Sequence, residues 1–499
     1  MKKTSLAGLA AVLIIILSLA SACSESSNSS APVAYTPPVD QDFSSYGWAE
    51  AFSKAHDRLS REYAFTDWKK IDFDALYDEF YPIIAEAEAS HDAKSYYLAI
   101  REYLSNIHDG HISFPAIDEI IMKEEVGYSY GLAIVGLDDG RYIAAKLLPE
   151  GPAETAGILQ GAEIISWNGI PVEAAAVQVK PIWKSGPPAT NDYSKIIRLN
   201  YLTRAPMGSQ ATVVYKNPGS ISSSSTVLTA AYDSYQSPDI TEWFARRPTM
   251  EQAKRFLDYY MLPQGYGYMA LYIELDMSDP YSLQNRVINK FRQALEYFIN
   301  NNAKGIIIDI RANFGGSDQM AADICGFFNR DRLFYERTVQ YDASLDAFVD
   351  VMTDPETQLS FIGKTPAFIR PQKPYYGGHV VALVSPGNIS SGEGVAMGIK
   401  NLAKGYVIGF NGTNGSFGIV GVHLTLPGPD TDTHYIFRYA YGRSIDSKGV
   451  VQIDSNAGGI GGIIPDMRVP ATYDNIIALA NGTDVELEYA IDYLNSVIK

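Results

Sequence analysis

The 499-residue chain has almost no cysteine, little positive charge and none of the short motifs that hold metals. Its two cysteines, Cys23 and Cys325, stand far apart, so no Cys-x-x-Cys pair exists, and no His-Glu-x-x-His run occurs. No metal-ligand cluster is therefore evident, and neither metal nor cofactor is expected. The net charge is -17, with no stretch of clustered Lys and Arg. That balance argues against nucleic acid, because phosphate binding rests on such clusters. The glycine-rich stretches also lack the Gly-Lys-Ser/Thr ending of a phosphate-binding loop.

What is present suits a large soluble fold. Hydrophobic residues make up 46% and charged residues 19%, enough for two or three domains. The 34 tyrosines are plentiful, and such rings often line peptide or sugar clefts. The N-terminus is export chemistry. "MKKTSLAGLAAVLIIILSLASAC" joins two lysines to an apolar run too short for a comfortable mature span. It resembles a bacterial lipoprotein signal (residues 1–23), which implies cleavage before Cys23 and acylation of its thiol. The expected location is the bacterial cell envelope, lipid-anchored to a membrane and facing outside the cytoplasm. Residues 24–42 are rich in Ser and Pro and read as a flexible tether. With Cys23 lipidated, Cys325 has no partner for an intramolecular disulfide.

Three further regions follow. Residues 43–122 show apolar positions at helical spacing, with Asp72 and Asp92 as N-caps, and read as a helical domain ending at "HDGHISF". Residues 125–216 change to short strands separated by Gly, Pro and Asp-Gly turns. Within them "GPAETAGILQGAEIISWNGIPV" resembles the middle of a PDZ domain. That likeness puts Tyr130, Gly131, Leu132 and Ala133 in the place of the carboxylate-binding loop, whose N–H groups would receive a peptide C-terminus. A PDZ-shaped spacer without ligand is the plainer alternative. Residues 217–264 read as a connecting segment, and 265–499 as an α/β domain of strands alternating with helices. In such sheets the loops at the carboxyl ends of strands converge on the site.

Two of those loops carry chemistry. "SPGNISSGEG" places Ser390, Ser391 and Glu393 between an apolar strand and a helix. A helix N-terminus supplies free N–H groups that stabilise a developing oxyanion. "GIIIDIRANFGGSD" ends a buried strand with Asp309, Arg311, Asn313, Gly315 and Gly316. The two glycines allow close backbone approach, while Asp309 and Arg311 read as a structural ion pair. A serine nucleophile needs a base, and His111 in "DGHISF" is the best placed of seven histidines.

Together, "DGHIS", the PDZ-like segment, "GIIIDIRANFGG", "VALVSPGNISSGEGVAMGIK", "GYVIGFNGTNGSFG" and "GGIIPDM" resemble the tricorn and C-terminal-processing serine peptidase family, in the family's order. The resemblance implies a tail-specific-protease-like fold: an α/β catalytic domain with a layered sheet, a PDZ-like β-rich domain and an N-terminal helical domain. It implies Ser390 as nucleophile, with oxyanion donors at the backbone of Ser391 and of Gly315–Gly316. Two departures stand out. Where the processing branch carries a lysine base, this chain has Ser416, so the base is expected to be His111, as in the tricorn-like branch. The acid that orients the histidine is displaced too. Gly459 stands near its usual place, which leaves Asp454, and less suitably Asp446, as substitutes. Glu393 is expected to cap or orient the turn.

The expected function is an exported, tethered serine endopeptidase acting on peptides or proteins by a Ser–His acyl-enzyme mechanism. An unperturbed imidazole base would make activity rise between roughly pH 5.5 and 7.5. A catalytically silent relative that binds peptides or apolar ligands is the alternative. A PDZ adaptor would leave the large α/β region unexplained.

Overall fold

Asp72 accepts a hydrogen bond from Ala75 N at 2.9 Å and Asp92 one from Ser95 N at 3.1 Å. Each caps the helix it precedes, Phe73–Ser90 and Ala93–Ser105, satisfying an N–H that the first turn leaves free. The computed structural model describes residues 32–115, 118–233, 236–276, 286–354, 359–430 and 432–498. Cys23 and the signal-like run lie outside these. Among the described residues no helix is long and apolar enough to cross a membrane.

The α/β region is built on a six-stranded sheet: Leu257–Met261, Gly267–Leu271, Gly305–Asp309, His379–Leu383, Gly405–Gly409 and Met467–Arg468. The first pair is antiparallel and the rest parallel. Ile306, Ile307, Val381 and Leu383 are fully buried because helices cover both faces, as unbroken apolar strands require. Helices Arg286–Asn300, Asp318–Gly326 and Ser391–Lys400 share one core with the sheet. The C-terminal helices Tyr473–Ala480 and Val485–Val497 belong to another.

A second large sheet departs from the simple strand–helix alternation expected for this region. Leu333–Asp342, Ala347–Thr353, Ile419–Pro427 and His434–Ile445 form an antiparallel set. Gln41–Asp42 joins it in parallel. Its strands alternate buried and exposed residues, a period that a search for continuous apolar runs passes over. The buried face carries Val422, Leu424, Leu426, Phe437 and Tyr439, and it packs on the N-terminal helices. Those helices are therefore one wall of a shared core, which brings the His111 turn to the α/β domain.

The region resembling a PDZ domain is an antiparallel sheet ordered Leu132–Gly136, Tyr142–Leu147, Glu163–Trp167, Gln210–Lys216, Ser224–Thr229. Its last strand lies inside the stretch expected to be a connector, as does Leu257–Met261 of the parallel sheet. Both strands are short, so their pairing is visible only once the partner strand is in place.

Candidate active site

Ser390 sits between strand His379–Leu383 and helix Ser391–Lys400 with φ 60° and ψ -138°. A non-glycine residue in this region is strained and persists only where its surroundings hold it. Here Ser390 N–H donates to Ser416 C=O at 2.9 Å, and Ser390 C=O accepts from Glu393 N at 2.8 Å. Behind it, Ser385 Oγ donates to Arg311 C=O at 2.7 Å and Asn414 Nδ2 to Pro386 C=O at 2.9 Å. The result is a sharp turn that presents one half-buried serine at a helix N-terminus, the geometry that suits a nucleophile.

Ser391 is different. It is fully buried, and its hydroxyl donates to Glu274 Oε2 at 3.1 Å. Only its backbone N–H, at the first position of the helix, remains for a ligand. Glu274 was not singled out from the sequence, because it follows its strand by a few residues and belongs to no motif. Its second oxygen accepts from Asn313 Nδ2 at 2.5 Å, and Asn313 Oδ1 in turn accepts from Gly315 N at 2.8 Å. One buried carboxylate thus ties the serine turn to the glycine loop. Burial pushes its pKa up to about 7 against the hydrogen bonds from Asn313 and Ser391.

The glycine loop touches the serine. A Cβ on Gly315 would lie 2.5 Å from Ser390 Cβ and 3.1 Å from its Oγ, and Gly315 has φ 91°. The expected oxyanion role divides between the two glycines. Gly315 N–H is committed to Asn313, and Gly315 C=O accepts from Glu274 N at 3.1 Å. Gly316 bridges Glu274 as its parallel partner through the flanking residues, which leaves the Gly316 N–H without a partner among the described residues. Gly316 and Ser391 are the donors this geometry offers; Gly315 is not.

Glu393 orients the turn. Its Oε1 accepts from Thr413 Oγ1 at 2.5 Å and Gly415 N at 2.7 Å, and its Oε2 from Ser416 N at 2.9 Å. Burial raises its pKa to about 7 in spite of these donors. Ser416, in the place expected for a lysine, is a bridge. Its Oγ accepts from Gly110 N at 2.8 Å while its carbonyl holds Ser390 N.

His111 therefore lies on a loop facing the nucleophile, with Gly110 packed against Ile389 and Asn414. No hydrogen bond joins His111 to Ser390. The imidazole is 3% exposed, and Nδ1 has no hydrogen-bond partner among the described residues. Burial drives its pKa down to about 4; Asp109 opposes this, and the charges of Arg438, Lys69 and Arg247 add to it. The expected rise between roughly pH 5.5 and 7.5 is accordingly displaced downward.

The acid beside His111 is Asp109, not Asp454. Asp109 Oδ1 lies 4.0 Å from His111 Nδ1 and accepts from His111 N at 2.8 Å, while Oδ2 accepts from Tyr63 OH at 2.8 Å. Asp454 instead accepts from Phe417 N at 3.0 Å, its Oδ2 has no hydrogen-bond partner among the described residues, and burial holds its carboxyl well above the usual range. Asp446 closes a turn with Lys448 N and Val450 N. The adjacency "DGH" carried the signal for Asp109, which a search for a distant acid overlooks. Lys69, also unforeseen, is buried and donates to His108 C=O, Ser455 C=O and Ser455 Oγ at 2.9, 2.9 and 2.8 Å.

Asp309 and Arg311 form the expected ion pair, and Asp484 and Glu486 complete it from the C-terminal helix. Two of the N–H groups in the expected carboxylate-binding loop are engaged within the protein. Tyr130 N–H donates to Thr203 C=O at 3.0 Å and Gly131 N–H to Ser129 Oγ at 3.2 Å. The side chains of Tyr130, Leu132 and Ala133 are buried. Beside that strand lies a cavity of only about 130 Å³, walled in part by Phe244 and Phe410 from outside the sheet.

A strained serine at a helix N-terminus beside a glycine loop defines the serine-hydrolase type of site. Residues 272–469, the segment that holds Ser390, match the family model described as peptidase family S41. The chain is by class a serine-type peptidase, whose substrates are peptides or proteins. His111 and Asp109 lie before the matched stretch. The fold is similar to that of mature CPAF, at 14% identity and TM-score 0.60, covering 91% of this chain and 99% of that one. It is equally similar to mature CPAF complexed with lactacystin, at 14% identity and TM-score 0.59, covering 91% and 97%. Curated protein sequences give no match.

Proposed function

We propose that the chain is an exported serine endopeptidase in which Ser390 is the nucleophile and His111 the base. The observation that carries this reading is the contact of Gly315 with a Ser390 held at φ 60° on a helix N-terminus. Ser390 Oγ adds to the scissile carbonyl carbon as its proton passes to His111. The oxyanion is held by the N–H groups of Ser391 and Gly316. Collapse breaks the C–N bond, the amine leaves with the proton from His111, and water repeats the sequence to release the acid. His111 must move within reach of Ser390 when substrate binds, since the two are not hydrogen-bonded beforehand.

The lipoprotein-like run ending at Cys23 supports a lipid anchor at the bacterial envelope. The engaged N–H groups of Tyr130 and Gly131 favour a spacer role for the PDZ-like sheet. The unpartnered His111 Nδ1 and the absent Ser–His bond favour, as a second reading, a silent relative that binds peptides. Labelling with a fluorophosphonate separates the two. Wild type should be modified at Ser390 and Ser390→Ala should not react; an unlabelled, folded wild type supports the silent relative.

A further inference from the structure

A cavity of about 480 Å³ opens immediately beyond the glycine loop. Ser317, next to Gly316, and Asp318 line it from the start of helix Asp318–Gly326. Ile419, a short step past Ser416, lines it from the other side, and Glu336 comes from strand Leu333–Asp342. Its walls are thus continuous with both loops that frame Ser390. The volume falls within the usual range of a ligand pocket and accommodates a long side chain.

The charge on those walls is unusual. Glu336 is 4% exposed, and its Oε2 has no hydrogen-bond partner among the described residues. Asp318 faces the same space. Burial raises Asp318 to about 7, and burial together with the Asp318 charge raises Glu336 well above the carboxylate range against a hydrogen bond from Ser444. Among the described residues no cation forms a salt bridge with Glu336 or Asp318. Arg337 pairs with Asp350, Arg332 stacks 3.7 Å over the Phe368 ring, and Arg370 is exposed. An acidic group buried without a partner is destabilising unless it stays protonated or meets a cation.

We propose that this cavity receives the side chain of a substrate lysine or arginine near the scissile bond, with Glu336 and Asp318 as its counter-charges. The proposal rests on the peptidase reading above. Arg332 and Arg370 also line the cavity, but both are solvent-exposed, where water and salt screen their repulsion. Glu336 is buried and Asp318 half-buried, so both act at a lower dielectric than the two arginines. A site built around such a charge discriminates by about 100-fold or more against an uncharged side chain.

Two measurements test this. In the first, denatured casein is digested with wild type, Ser390→Ala, Glu336→Gln and Asp318→Asn, and the new termini are mapped by mass spectrometry. Lys or Arg should be enriched about tenfold at one fixed position relative to the cut, and both carboxylate variants should lose that enrichment while still cutting elsewhere. In the second, which needs no catalysis, Ser390→Ala is titrated calorimetrically with Nα-acetylarginine amide and with uncharged Nα-acetylnorleucine amide. Only the cation should bind, and adding Glu336→Gln or Asp318→Asn should weaken it at least tenfold. Gln and Asn keep the side-chain shape, and melting curves establish that each variant is folded. Cation binding without any casein cleavage would retire the peptidase reading and keep the pocket. Cleavage by wild type with no basic preference, or a preference unchanged in the variants, overturns the pocket and leaves the peptidase. Neither cleavage nor binding removes both.

Discussion

The Ser391 hydroxyl donates to Glu274 Oε2 at 3.1 Å, so the second serine of the turn serves a buried carboxylate and not a substrate. Glu274 holds Asn313 through its other oxygen, and Asn313 holds Gly315. Glu274→Gln puts an amide N–H where one of two donors already points. The variant should lose about tenfold or more in kcat with KM little changed, because oxyanion donors act in the transition state. Its stability relative to wild type should also depend on pH. The wild-type carboxyl, raised to about 7, favours the folded state below the unfolded value near 4.5 and loses that contribution as pH rises through 7. Melting curves from pH 4 to 8 should show the variant gaining on wild type over that range.

Gly315→Ala tests how close the glycine loop must come. Its φ of 91° is strained for alanine, and the added methyl would sit 2.5 Å from Ser390 Cβ. Activity should fall below detection, and stability should drop by roughly 1–3 kcal/mol. Unchanged turnover on a peptide substrate would show that the loop and Ser390 are not in contact during the reaction.

The pH dependence follows from the buried imidazole. Neutral His111 is the competent base, and its pKa is lowered to about 4, so the base form predominates above that pH. A kcat/KM profile should rise near pH 4 and show no imidazole limb between pH 6 and 7. Glu274 and Glu393 titrate near 7, so a limb there that vanishes in Glu274→Gln belongs to the carboxylates. One that survives in Glu274→Gln and vanishes only in His111→Gln would mean that His111 is solvated when it acts.

Asp109 and Asp454 make a direct comparison. Asp109 lies beside His111 with both oxygens engaged, whereas Asp454 bonds Phe417 N. If Asp109 closes the 4.0 Å gap to His111 Nδ1 during the reaction, Asp109→Asn should lower kcat by on the order of 10²–10⁴-fold. Asp454→Asn should stay within about tenfold of wild type. The reverse order, measured on one substrate, would return the orienting role to Asp454.

Much of the site was legible because its signals are local. A serine–glutamate pair between an apolar strand and a helix encodes a capped turn, in which Glu393 N donates locally to Ser390 C=O. The same holds for Asp72 and Asp92, whose capping bonds reach the third residue of their helices. Continuous isoleucine and valine runs likewise announced the parallel sheet. What the tertiary structure decided are the relationships across long separations. Which glycine offers its N–H depends on where the Asn313 side chain turns, and that is set by Glu274. Which acid lies beside His111, and what faces both, depends on the antiparallel sheet that carries the N-terminal helices against residues 414–416. Whether Tyr130 and Gly131 can hold a carboxylate depends on Thr203 and Ser129 taking their N–H groups first. Residue types and spacing record short-range hydrogen bonding and periodicity, whereas the partner of a buried polar group is chosen by packing, which brings distant segments together.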